Sequence, residues 1–174
     1  MLRNRIGVAA VALALVATTV AATSTRSSAP LLVTHEIIAV YVGTEGTDGG
    51  MVDVVREMKT ALQRQATSNS YRFISRGVSL EPSVGGGLRH LALLGSFDEV
   101  SLGGNWTNSA VVKYLGPDMS DHQRALIPQV IVLERDIQRD GKEMLLVGPE
   151  REIGRYIGAG DIASWVRKGA PLPR

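Results

Sequence analysis

The chain has 174 residues, 44% hydrophobic and 21% charged, with 19 Lys and Arg against 17 Asp and Glu and no cysteine. That length suffices for one domain with a proper core, and the missing sulfur excludes disulfides, thiolate zinc sites, iron–sulfur clusters and cysteine nucleophiles. Arg3, Arg5 and Arg26 fall in the first thirty residues, which hold no acid, leaving 16 bases against 17 acids elsewhere; dispersed, near-neutral charge of this kind argues against nucleic-acid binding.

Ile6 to Ala22 is uncharged and follows Arg3 and Arg5, and the small polar run Thr23 to Pro30 comes after it. Two readings fit. One is a secretory signal, favoured by the Ala-rich composition, with a small-residue cleavage site at Val20-Ala21-Ala22. The other is a retained single-pass anchor built on residues such as Ile6, Leu13, Leu15 and Val20. Its length is at the short end of the ~17–25 residues that span a bilayer as helix, and Thr23 to Thr25 extend it slightly. The anchor is the reading taken forward. It divides the chain into an anchor and linker, residues 1–30, and a domain, residues 31–174. With the arginines held in the cytoplasm, the domain lies outside, on the periplasmic side of a bacterial inner or intracytoplasmic membrane.

Leu31 to Val42 alternates poorly but is rich in Ile, Val and Tyr, which suits a central strand covered on both faces. Gly43 to Gly50 is a turn-rich loop. Met51 to Thr67 places Met51, Val54, Val55, Met58, Ala61, Leu62 and Ala66 at helical spacing. Tyr71 to Leu80 predicts a second strand, stopped by Pro82. Val84 to Leu94 predicts a short helix with Leu88, Leu91, Ala92 and Leu94 as its core stripe, Gly85-Gly86-Gly87 forming its entry. Phe97 to Trp106 is irregular or weakly β, and Asn108 to Leu115 allows one or two helical turns. Pro128 opens a third strand, to Leu133 or Glu134. Asp140-Gly141 marks a hairpin turn, with further strands at Met144 to Val147 and Glu152 to Ile157. Asp161 is placed to cap a final helix, Ile162 to Lys168, burying Ile162, Trp165 and Val166. The Pro-containing tail, Gly169 to Arg174, is expected to order only against a partner.

The element order, together with Tyr41-Val42-Gly43-Thr44-Glu45 leading into Gly46-Thr47-Asp48-Gly49 and with Ile127-Pro128 far downstream, resembles the thioredoxin-like family. The resemblance implies an α/β, three-layer domain with a central mixed sheet. It places Gly46, Thr47, Asp48 and Gly49 on the family's Cys-x-x-Cys turn, and Ile127-Pro128 on the hydrophobic residue and cis-proline facing it. Dithiol exchange needs a thiolate, so this chain does not perform it. Two features would outlast the loss. The helix start near Gly50 offers unpaired N–H groups to an anion, and a cis-Pro128 would leave the Ile127 backbone to pair with an extended peptide.

The remaining constellations are weak. Asp118, Asp121 and His122 cluster in a loop as solvated residues more readily than as a cation site. His35, His90 and His122 show no metal-binding spacing. A triad of Ser109, His90 and Asp98 lacks any nucleophile-elbow pattern. Trp106, in a glycine-flanked loop, is either core or an interface anchor. The expectation is therefore a non-catalytic, membrane-anchored accessory subunit. Its partners are subunits of an integral-membrane complex, photosynthetic or respiratory, and the lipid around its helix, with no cofactor, metal or nucleic acid. The alternatives are an exported peptide-binding module, a holdase or maturation factor, using Ile127 and Pro128, and an enzyme of another class, such as a hydrolase using His90 or His122. Intact-mass analysis of the native protein is expected to find Ile6 to Ala22 retained; a chain beginning at Thr23 would establish cleavage instead.

Overall fold

The computed structural model describes residues 32–47, 50–116, 119–120, 122–123, 126–139 and 145–173. The expected anchor residues Ile6, Leu13, Leu15 and Val20, the hairpin turn at Asp140-Gly141, and Asp48, Gly49, Asp118 and Asp121 lie outside these. Among the described residues no helix is long and apolar enough to cross a membrane.

Strand β1 (Leu32–Gly43) is followed by helix α1 (Met51–Ser68), β2 (Arg72–Ser79), α2 (Val84–Leu93), the short β3 (Glu99–Ser101) and α3 (Ser109–Tyr114). Then come β4 (Gln129–Arg139), β5 (Leu145–Val147), β6 (Arg151–Ile157) and α4 (Ala159–Arg167). The sheet runs β3-β2-β1-β4, with β5 and β6 pairing successive parts of the far edge of β4. β1 is parallel to β2 and antiparallel to β4. This mixed α/β architecture with a central mixed sheet is consistent with a thioredoxin-like fold. Both faces of β1 are buried from Ile37 to Val42, which is why its apolar run hardly alternates.

The two faces are covered unequally. Ile37, Ala39 and Tyr41 of β1 and Val130 and Val132 of β4 pack against Met51, Val55, Met58 and Leu62 of α1, Leu91 of α2, and Ile162, Trp165 and Val166 of α4. The other face, with Ile38, Val40, Val42, Ile74, Val78, Ile131 and Leu133, meets Val111 and Tyr114 of α3 and Leu115, with Met119 and Ile127 at its margin. Among the described residues the expected three layers are thus lopsided: three helices on one side, and one of 6 residues on the other.

Charge closes the thin face. Glu36, whose side chain has 0% exposure, lies in register with Arg72 on β2 and Arg135 on β4. Arg135 Nε donates to Glu36 Oε2 at 2.7 Å, and Arg72 Nη1 lies 3.2 Å from Oε1. Arg135 and Arg76 both reach Glu150 Oε1, at 3.3 and 3.1 Å, while Lys113 Nζ donates to Glu150 Oε2 at 2.6 Å. Arg76 also bonds the Tyr114 hydroxyl and sits 2.5 Å from Glu99. Burial pushes the Glu150 carboxyl up, but the bonds from Lys113 and Arg76 outweigh it and hold it below its usual range.

Several expectations are corrected. The buried residues of α2 are Gly86, Gly87, His90 and Leu91, followed by the cap residue Leu94, while Leu88 and Ala92 are exposed. A Cβ on Gly77 would stand 2.8 Å from Leu91 Cδ1, and one on Gly87 3.0 Å from Leu102 Cδ2; the helix is seated by Leu91 packing onto a glycine of β2 and by its own glycines admitting Leu102. β4 continues to Arg139, beyond the expected end at Leu133 or Glu134, because β1 and then β5 pair with its polar second half. Helix α4 starts at Ala159, and Asp161, instead of capping it, accepts from Ile157 N–H at 3.2 Å. The tail needs no partner to hold it. Gln65 Nε2 donates to Gly169 O and Ala170 O at 2.9 and 2.8 Å, Gln65 Oε1 accepts from Leu172 N–H at 3.1 Å, and Trp165 Nε1–H donates to Pro171 O at 3.1 Å. A β-bulge between Val132 and Leu133 leaves Ile153 of β6 unmatched between Glu152 and Gly154.

The ion network makes an asymmetric prediction. Arg135→Met removes the hydrogen-bonded partner of a buried carboxylate and is expected to destabilise the full chain in mild detergent by about 3 kcal/mol or more. Arg72→Met, at a mostly exposed guanidinium, is expected to change it by less than about 1 kcal/mol. Urea unfolding followed by circular dichroism reads both; equal losses would contradict this account of the network.

Candidate functional site

One pole of the domain gathers the ends of β1, β2 and β3, the start of β4, and the N-termini of α1, α2 and α4. Parallel pairing of β1, β2 and β3, with β4 antiparallel, requires it. The segment aligned with the family's redox turn leaves β1 here. Val42 pairs with Gln129, so Pro128 stands beside Gly43, where that segment begins. The Ile127-Pro128 peptide bond is cis, as the resemblance implies, and Pro128 O accepts from Gly158 N–H at 2.8 Å. Gly46 and Pro128 therefore belong to one end of the sheet.

The turn is held by a carboxylate that sequence reading missed. Glu81 Oε1 accepts from the Thr44 hydroxyl at 2.5 Å and from Glu45 N–H at 3.1 Å. Those bonds hold the Glu81 carboxyl below its usual range. Glu81 N–H in turn donates to Ser79 Oγ at 3.2 Å, Leu80 N–H to Gly43 O at 2.8 Å, and Ser83 Oγ caps α2 by accepting from Gly86 N–H at 3.1 Å. Leu80, Glu81 and Ser83, on either side of Pro82, thus tie β1, β2 and α2 together. The signal for it was the acid immediately before Pro82-Ser83, a strand stop followed by a helix cap.

Beneath the turn, Ser79 Oγ and His90 Nδ1 lie 2.9 Å apart, and the Tyr41 ring sits 6.2 Å from the imidazole. A Cβ on Gly43 would stand 2.6 Å from the Tyr41 hydroxyl, so only glycine lets the chain pass over that ring. Ser79 and His90 form the kind of hydroxyl–imidazole contact that nucleophilic catalysis uses. Both are at 0% exposure, which closes the pair to substrate. The triad of Ser109, His90 and Asp98 gains nothing either: Asp98 Oδ2 is committed to the Ser75 amide and hydroxyl, both at 2.7 Å. His122 is exposed, and with Gln123 it is helical, not in the loop expected there. Among the described residues no three His, Asp or Glu groups gather to hold a metal ion.

Gly46 is exposed in a short 3-10 turn, Glu45–Thr47, and nothing lies within 4 Å of where its Cβ would stand. Its backbone does not demand glycine, so the position is open to a side chain. Gly50, with φ 82°, is left-handed and precedes α1 without a side-chain cap. Gln129, also missed in sequence, is fully buried; its Nε2 donates to Gln123 O at 2.8 Å and Leu126 O at 3.0 Å, shaping the approach to Pro128. Ile127 is half-buried.

Trp106 is exposed rather than core, at 45%, whereas Trp165 is core and stacks on Tyr156 at 4.0 Å. Two exposed apolar residues of α2, Val84 and Leu88, stand one turn apart on the same side of the helix. A Cβ on Gly103 would lie 3.3 Å from Val84 Cγ2, and Gly104 N–H donates to Pro82 O at 3.2 Å. The turn carrying Trp106 follows directly. The pole therefore presents exposed apolar side chains near the turn that begins at Glu45.

No family model matches the chain, and no curated protein matches it. Among solved structures, BsSco, a member of the Sco family of cytochrome c oxidase assembly proteins in which a disulfide switch was identified, aligns at 15% identity with a TM-score of 0.36. That alignment covers 78% of this chain and 80% of that one. This chain has no cysteine with which to form such a switch.

The Glu81 bonds give a pH dependence of defined sign. A carboxyl whose folded value is depressed contributes stability above its unfolded value, ordinarily 4.5, and loses it as pH falls through the lower folded value. Glu81→Gln keeps an acceptor for Thr44 and Glu45 but removes the titration. Melting temperature followed from neutral pH to below that window is expected to fall less steeply in Glu81→Gln than in the parent; identical slopes would show that Glu81 is not coupled to folding.

Proposed function

We propose that this protein is a non-catalytic accessory subunit of a larger membrane complex, tethered by Ile6 to Ala22 and holding a partner subunit with the pole described above. The observation that carries the reading is the conversion of that pole. The turn that would present a thiolate is instead fixed by the Glu81 carboxylate, and Val84, Leu88 and Trp106 stand exposed beside it. An exposed tryptophan suits a protein interface, where it anchors at little entropic cost. The uncharged N-terminal run supports a membrane host, and the near-neutral domain supports a protein rather than a nucleic-acid partner. Photosynthetic or respiratory assemblies on the periplasmic side of a bacterial membrane are the natural setting. In such an assembly the domain would stabilise or help build the complex.

Gentle detergent extraction followed by native-size separation tests this. The protein is expected to migrate within a larger particle and to co-purify with integral-membrane subunits. A monodisperse monomer would overturn the proposal. Trp106→Ala combined with Leu88→Ser is expected to release it from that particle while changing its own stability by only about 0.5 kcal/mol per site, as surface substitutions do.

A further inference from the structure

The opposite pole carries a second unusual surface. β2 begins in register with Glu36, so Leu32 to His35 of β1 project beyond it. Among the described residues β4 and β5 accompany them: Thr34 pairs with Ile137 and that with Val147, Val33 with Gln138 and that with Leu146. The result is a three-stranded ribbon, cross-linked by His35 Nδ1 to Asp136 Oδ1 at 2.5 Å. Val33, Leu145, Leu146 and Val147 are 42%, 55%, 51% and 58% exposed. Alternation puts Val33 and Leu146 on one face and Leu145 and Val147 on the other, so apolar side chains surround the ribbon's outer edge. An edge strand of this composition is ordinarily avoided on a soluble surface.

Chain connectivity says what lies next to it. Residues 23–31 join the uncharged segment to Leu32, the first residue of the ribbon. Nine residues reach at most about 30 Å fully extended, and a flexible linker of that length averages about 17 Å. β1 itself, 12 residues long, carries the chain about 40 Å towards the far pole. With Ile6 to Ala22 read as the anchor, that reach keeps the ribbon end of the domain nearer the membrane than the far pole.

We infer that the ribbon edge formed by Val33 and Leu145-Leu146-Val147 rests in the interfacial layer of the lipid bilayer that holds the N-terminal segment, so that the pole with Gly46 and Trp106 points away from the membrane. The inference rests on the anchor reading above. Exposed Leu and Val side chains gain by leaving water at the bilayer surface, and two attachments, helix and ribbon edge, fix the domain's orientation where one alone leaves it to swing.

The absence of native cysteine makes a site-specific test clean. Full-length Leu146→Cys, Val147→Cys and Gly46→Cys variants, each labelled with a polarity-sensitive fluorophore, are reconstituted into phosphatidylcholine vesicles with brominated acyl chains and floated on a density gradient. The labels at 146 and 147 are expected to be blue-shifted and quenched by bromolipid several-fold more than the label at 46, which stays accessible to aqueous iodide. Flotation with all three labels equally exposed to iodide overturns the ribbon contact while leaving the anchor intact. Failure to float overturns both. Shielding at 146 and 147 that occurs in native membranes but not in protein-free vesicles assigns the edge to a protein partner and overturns the lipid contact.

Discussion

A buried carboxylate at the polar end of an apolar strand organises this molecule. Glu36 has no exposed side-chain surface, and it lies where β1 passes from a region covered on both faces to the uncovered ribbon. A carboxylate in that place is stable only if its charge is met at once. Arg135 meets it in register from β4, and through Glu150 the charge compensation extends to Arg76 and Lys113. A row of side chains fixed by strand register thus becomes a belt around the face that α3 alone would leave thinly covered. The strand pairing and the belt reinforce each other: slipping β4 by one residue would turn Arg135 to the opposite face.

The domain has distinct ends because β1 has. Towards its C-terminus the strand delivers the chain to a turn braced by Glu81 and flanked by Pro128, under which Tyr41, Ser79 and His90 are sealed. Towards its N-terminus it leaves the helices behind. The first end has the layout of a chemical site and the groups of a structural one. Its hydroxyl and imidazole are buried, its acid is spent on backbone and Thr44, and its outermost feature is hydrophobic.

How much of this the sequence revealed follows from which forces leave a periodic trace. β1, α1, β2 and α4 were legible because each buries an apolar run or stripe, and the turn and Pro128 were legible through the family layout. Helix α2 was found, but its inward side was misread. Leu91 and Leu94 are buried as expected, but Gly86, Gly87 and His90 share that side while Leu88 and Ala92 face out, and glycines and a histidine leave no hydrophobic stripe. The second half of β4 was missed because Arg135 to Arg139 reads as polar loop when its cross-strand partners are unknown. Glu81 and Gln129 act through hydrogen bonds to backbone some distance along the chain, which no local pattern encodes. The tail looked loose because Gln65, which bonds Gly169, Ala170 and Leu172, sits about a hundred residues earlier, where no local pattern points to it.

The bulge in β6 shows how one residue can change the parity of a strand. In a regular strand, residues three apart point to opposite sides of the sheet. Because Ile153 is unmatched, Glu152 and Arg155 emerge on the same side, where Arg155 Nη2 lies 2.6 Å from Glu152 Oε2 and Nη1 donates to Gln129 Oε1 at 3.0 Å. Ile153 itself packs with the helices on the other side. The inserted residue therefore brings into phase a pair of charges that the pleat would otherwise separate, and through Gln129 that local change of phase reaches the segment entering Pro128.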